Sequence, residues 1–205
     1  MQPNLNLTEL LSRPDPVVVA RSLIGVEIIT RINGTITAAR ITETEAYRAP
    51  DDQASHARNH RRTKRTETFY RPAGTAYVYL CYGIHELFNV VTGSTEDPHA
   101  VLIRAVEPLE GIETMLARRA MKTLKSQLTA GPGVLSKALG ITRQHNGVNL
   151  LGEHSPVQLR VTGPVPDPSE IIATPRIGID YAGSPWVEKP WRFYLRDCSF
   201  VSRLS

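Results

Sequence analysis

Asn33-Gly34 lies between two β-rich stretches, Val26–Ile32 and Thr35–Tyr47. This dipeptide accepts positive φ at both central positions of a two-residue turn, so it predicts a β-hairpin. The second arm ends in Glu43, Glu45 and Tyr47, spaced two apart. On a strand those side chains share one face. If Ile41 faces the core, so do both glutamates, and burying a lone carboxylate is costly. Three readings follow: the strand faces water, the glutamates pair with arginines, or one of them is a general base in a pocket. The pattern alone leaves all three open.

The rest of the chain adds elements around this hairpin. Asp15 as a cap and Pro16 at the first helical position predict a helix closing near Gly25. Residues 74–93 form a second β-rich stretch, interrupted at Tyr82-Gly83, and 99–108 read as a buried strand carrying Arg104. An arginine there needs a carboxylate partner once desolvated. Helical periodicity runs through 108–124, a short helix is predicted over 131–141, and late strands over 156–165 and 191–201. Fifteen prolines and fourteen glycines favour turns over long helices. With 205 residues and no regular strand–helix alternation, a single domain spanning 1–205 is expected. Its class is α+β around a mostly antiparallel sheet.

Composition narrows the function. No apolar run reaches about 18 residues, so no membrane span is expected. The N-terminus lacks a signal-peptide pattern, and Cys81 and Cys198 match no metal or redox spacing. A reducing cytoplasm follows as the expected compartment. The net charge is +4, and residues 58–65 hold five Arg or Lys with no acid among them, with four more in 117–125. Such runs are either solvated surface or phosphate-contacting patches. Tyr70, Tyr77, Tyr79 and Tyr82 fall within thirteen residues, as a core cluster or as a stacking platform for bases. The zinc-deaminase, Walker and G-x-S-x-G signatures are missing from the sequence. Two glutamates on one strand face do not flank a sugar from both sides as a glycoside hydrolase pair does.

Six stretches taken in order, ITETEAYRAPDDQASHAR, GTAYVYLCYGIHELFNV, VLIRAVEPLEG, AGPGVLSKALGI, PRIGIDYAG and KPWRFYLRD, resemble the alkyladenine (3-methyladenine) DNA glycosylase family. The resemblance implies a curved antiparallel sheet with surrounding helices and a β-hairpin that enters the DNA minor groove. It implies hydrolytic removal of damaged purines from double-stranded DNA; that chemistry needs no metal or cofactor, and a monomer is the default because one active site per domain suffices. The matching positions give Glu45 as the base that activates water and Arg104 as the residue that holds it. Tyr47 and Tyr79 would stack on the extruded purine, and His56, Asn89, Leu102 and Ile177 would line its pocket. Tyr82 would fill the gap in the duplex. Arg176 belongs to the DNA-binding set, with a main-chain contact near the base from Arg176-Ile177. Arg61 and Arg62, in the basic run, would contact phosphate. Glu43 is then structural, paired with a buried donor. No lysine matches a Schiff-base role, so lyase activity is not expected. A bacterial source would place the protein at the nucleoid. His85 and Glu86 depart from the family pattern, and a negative charge there bears on affinity and on the orientation of the wedge. Two rivals remain: a binding domain without catalysis, and an enzyme acting on RNA.

Overall fold

A computed structural model describes residues 5–202. The hairpin is present, with β1 at Glu27–Ile32 and β2 at Thr35–Arg48. Asn33 and Gly34 have φ of 53° and 73°, the conformation that the dipeptide supplies cheaply. β3 (Ala76–Cys81) and β4 (His85–Thr92) form a second hairpin that pairs onward to β5 (His99–Glu110). The order β3-β4-β5-β2-β1-β6 is completed by β6 (Val157–Arg160), and every pair is antiparallel.

β2 runs along β5 but changes its other neighbour midway. Residues 35–40 pair with β1, and 43–45 pair with β8 (Arg192–Leu195), which in turn pairs with β7 (Ile171–Thr174). The β2–β5 register shifts between Ile41 and Thr44, which breaks strict alternation. Ile41 and Ala46, of opposite parity, therefore both join the main core. This corrects the parity argument that tied both glutamates to the face of Ile41.

Helices cover the sheet. Ahead of them in the chain lies α1 (Leu7–Leu11), capped by Asn6. α2 (Pro16–Ser22) begins as expected, with the Val17 N–H donating to Asp15 Oδ1 at 3.0 Å. Thr44 Oγ1 donates to the Ala20 carbonyl of α2 at 2.8 Å. Glu43 and Glu45, on either side of Thr44, therefore project to the opposite face. α3 (Ile112–Arg119) starts later than periodicity predicted, because β5 extends to Glu110. Gly111 makes the turn at φ 71°, where a Cβ would lie 2.4 Å from the Ile36 carbonyl oxygen. α4 (Pro132–Leu139) ends at Gly140 and packs on β4, β5 and α3. The late strands are shorter than expected, four residues each, and α1 and β7 were not anticipated. No helix among the described residues is long and apolar enough to cross a membrane.

Candidate active site

One row of residues crosses the sheet. Glu45 stands opposite Leu102, Leu102 opposite Asn89, and Asn89 opposite Tyr77. Directly opposed residues share a face, so four strands deliver these side chains to one floor. Arg192 of β8 continues the row beyond Glu45.

Glu45 is fully buried and bonded at both oxygens. Oε1 accepts the Ile177 N–H at 2.8 Å and lies 3.3 Å from Arg104 Nη1, while Oε2 accepts the Tyr47 hydroxyl at 2.9 Å. Burial and the neighbouring Glu45 charge raise the Tyr47 pKa well above its usual value, so the phenol remains a neutral donor. Burial works against the Arg104 charge, but Glu45 and Glu43 outweigh it and the net shift is upward. Two carboxylates thus share one guanidinium: Arg104 Nε also donates to Glu43 Oε1 at 3.1 Å. The expectation of a buried donor for Glu43 meets a fuller set, since Arg192 Nε and the N–H and hydroxyl of Ser202 also donate to it.

Aromatic walls rise beside this floor. His56 meets the Tyr79 ring edge-on at 4.7 Å, and Tyr79 stacks on Tyr77 at 5.3 Å. His56 Nδ1 lies 3.1 Å from the Tyr77 hydroxyl, and Arg65 lies 3.4 Å from Nε2. A guanidinium only donates, so Nε2 accepts and Nδ1–H donates to Tyr77. Burial, with Arg65, Arg58 and Arg61 nearby, lowers the His56 pKa to about 4 and keeps the ring neutral at pH 7. The Arg65 guanidinium also sits 4.8 Å over Tyr79. Asn89 is buried and donates its amide to the Tyr77 and Leu87 carbonyls.

The β3–β4 hairpin carries its tip outward. Tyr82 is 92 % exposed and has φ 49°, followed by Gly83 at 74°. Positive φ costs a bulky residue on the order of 1–3 kcal/mol, and such strain collects at functional sites. Ile84 beside it is also exposed. The departures noted above are accommodated in the two pairs next to the turn, His85 opposite Cys81 and Glu86 opposite Leu80. Glu86 is paired with Arg143 at 3.1 Å, and His85 packs on Gly133.

One expectation needs correction and two are narrowed. The Arg176 side chain is wholly buried: Nη1 and Nη2 donate to Asp52 at 2.6 and 2.8 Å, and Nη1 also donates to the Ala46 carbonyl at 2.9 Å. A guanidinium so enclosed is not a DNA contact; it anchors the segment that presents Ile177. The Ile177 N–H is spent on Glu45 and is not left for a base. Arg62 is held by Glu67 and Glu96 at 2.7 and 2.6 Å, so its charge is already answered, whereas Arg61 is exposed in the same loop.

Asp52 and Tyr181 were not singled out from sequence. Asp52 accepts from Arg176 and from the Arg48 and Ala54 N–H groups. Tyr181, 67 % exposed, donates to the Ala54 carbonyl at 3.1 Å. Both lie inside stretches that carry the resemblance, which was the available signal. Two open depressions, of about 460 and 330 Å³, lie along residues 142–145 and include neither Glu45 nor Arg104.

Residues 9–199 match the family model described as methylpurine-DNA glycosylase. A relative from Chlamydia felis is 46 % identical over 183 residues, covering 88 % of this chain and 91 % of its own. Relatives from Natranaerobius thermophilus and Bacillus mycoides are 43 % and 44 % identical, each covering 92 % of this chain and 94 % and 95 % of their own. All three carry the name "Putative 3-methyladenine DNA glycosylase". On the matched length and the identity to these relatives, the chain belongs to the methylpurine-DNA glycosylase family.

Proposed function

We propose that the protein rotates alkylated or deaminated purines (3-methyladenine, 7-methylguanine, hypoxanthine, ethenoadenine) out of duplex DNA and hydrolyses their N-glycosidic bond. Family membership makes it a DNA glycosylase, a hydrolase of N-glycosyl bonds. The observation that carries the finer reading is the buried Glu45 carboxylate, oriented by Ile177, Tyr47 and Arg104 at the end of an aromatic-walled floor.

A purine inside a duplex is out of reach, so it must leave the stack at a cost of a few kcal/mol. The exposed Tyr82 ring, borne on a hairpin entering the minor groove, fills the space left behind. The base rests between Tyr47 and Tyr79, where stacking contributes about 1–3 kcal/mol and a cationic purine gains cation–π attraction. Asn89, fixed by its two backbone bonds, tests the edge on which guanine carries its amino group. Cleavage sends the electron pair of the C1′–N bond to the base, which takes up a proton from water or a pocket group when it is a neutral purine, and leaves positive charge on the sugar. Glu45 faces that charge and takes a proton from the water that attacks C1′. Arg104 holds this water. The products are the free base and an abasic site. No lysine belongs to this constellation, so the backbone is left uncut. One domain working as a monomer suffices.

Glu45→Gln tests this directly. Single-turnover release of hypoxanthine from duplex DNA should fall by about 100-fold or more, while binding to the same duplex persists. Release at the unaltered rate removes Glu45 from the chemistry. An RNA duplex carrying one hypoxanthine, run in parallel, distinguishes the RNA-directed rival; a chain that binds both and cleaves neither is the non-catalytic rival.

A further inference from the structure

Arg104 can hold a water only if its own orientation is fixed. Its guanidinium is a rigid planar fork, so fixing Nε determines where Nη1 and Nη2 point. Nε is fixed by Glu43 at 3.1 Å, and Nη1 then falls 3.3 Å from Glu45. What fixes Glu43 therefore bears on the reaction.

Glu43 is fully buried and accepts four bonds. Oε1 takes Arg104 Nε, Arg192 Nε at 2.6 Å and Ser202 Oγ at 2.7 Å; Oε2 takes the Ser202 N–H at 2.6 Å. Ser202 is the hub of the far side. Its carbonyl accepts Arg192 Nη2 at 3.2 Å, and its hydroxyl lies 3.5 Å from Arg104 Nη2. The approach of this segment is pinned by Thr42 Oγ1, which donates to the Phe200 carbonyl at 2.5 Å. Arg192 is braced in turn by Thr174 Oγ1 of β7 at 3.2 Å. Two guanidinium groups and two carboxylates balance in charge, and such a network is stable only when each member is satisfied. Ser202 lies beyond the residues that match the family model, which end at 199.

We propose that Glu43, Arg192 and Ser202 form a positioning clamp for Arg104, so that the segment following β8 helps to aim the hydrolytic water. The inference rests on the reading of Glu45 and Arg104 given above. None of the three clamp residues touches the substrate; each acts through the Arg104 guanidinium. Without the Ser202 donors, Glu43 turns to other partners and takes Arg104 Nε with it. The water is then misplaced while the aromatic slot and the hairpin are untouched.

The experiment uses the full chain, a DNA duplex with one hypoxanthine, and enzyme in excess. Ser202→Thr keeps the hydroxyl, Ser202→Val removes it at the size of threonine, and a chain ending at Val201 removes both donors. The expected excision rate constant falls about tenfold in Ser202→Val and further in the shortened chain, and stays within about twofold in Ser202→Thr, since small misplacements at a reacting centre are expensive. Duplex affinity stays within about twofold throughout. Circular dichroism and thermal melting establish that each variant is folded, and Ser202→Val with its threonine control decides the matter if the shortened chain is not. Normal rates in both Ser202→Val and the shortened chain overturn the clamp. A loss that tracks the unfolded fraction, or that threonine fails to restore, overturns it as well. Absence of excision by the unaltered chain sinks the glycosylase reading itself, a distinct result.

Discussion

The Ile177 N–H and the Glu45 carboxylate are 132 positions apart in the chain and 2.8 Å apart in space. A backbone donor cannot rotate away as a side chain can, so the carboxylate inherits the rigidity of the 176–177 segment. That segment is moored by Arg176 on Asp52 and on the Ala46 carbonyl. The placement of Glu45 thus depends on an ion pair that no substrate meets.

Arg176→Ala should therefore act as a core lesion. Removing one partner of a buried ion pair costs about 3–5 kcal/mol, readable as a lowered urea midpoint. The salt dependence of duplex binding should keep its slope, because no phosphate contact is lost. A reduced slope without loss of stability would return Arg176 to the DNA surface.

Arg61 and Arg62 should separate in the same binding assay. Arg61→Ala should reduce the slope of log affinity against log salt by about 1. Arg62→Ala should leave it nearly unchanged, because Glu67 and Glu96 already neutralise that guanidinium. Equal effects would mean that the two ion pairs open on DNA.

Tyr82→Gly should improve the fold and harm the function. Glycine adopts positive φ freely, so relief of the strain at φ 49° raises stability by about 1 kcal/mol. The ring that fills the vacated stack is gone, so binding to hypoxanthine-containing duplex weakens. Thermal melting and duplex titration read the two effects; a drop in melting temperature would contradict the strain.

His56 predicts a pH dependence. Its folded pKa is about 4, below the ordinary 6.5. The unfolded chain therefore binds the proton first. The contribution is complete above pH 6.5 and is lost as the pH falls toward 4, amounting to at most about 3 kcal/mol. His56→Asn should flatten the stability curve across that window. Arg65→Ala should move the His56 imidazole titration upward by NMR, since Arg65 is the leading charge that depresses it.

Local signals carried the sequence reading where the cause was local. Asn33-Gly34 announced a hairpin because its backbone preference is intrinsic, and Asp15-Pro16 announced α2 for the same reason. Glu45 and Arg104 were legible through motifs and through the oddity of charge in apolar strands. The partners of Glu43 were not, because Arg192 and Ser202 lie 149 and 159 positions away. Periodicity carries no information at that range. The basic run 58–65 contains no acid, yet the fold brings Glu67 and Glu96 to Arg62. The burial of Arg176 depends likewise on Asp52, 124 positions distant.

The exchange of neighbours along β2, from β1 to β8, divides labour within one continuous strand. Positions 35–40 close the hairpin and bury Thr37, Ala38 and Ala39, so changes there should register as yield and melting temperature. Positions 43–47 sit where chain from far along the sequence locks in, so on the proposed chemistry changes there should register as turnover. On the proposed chemistry, a designer seeking new lesion preferences would hold 43, 45, 176–177, 192 and 202 fixed as a single cassette scattered through the gene, and vary the aromatic walls instead.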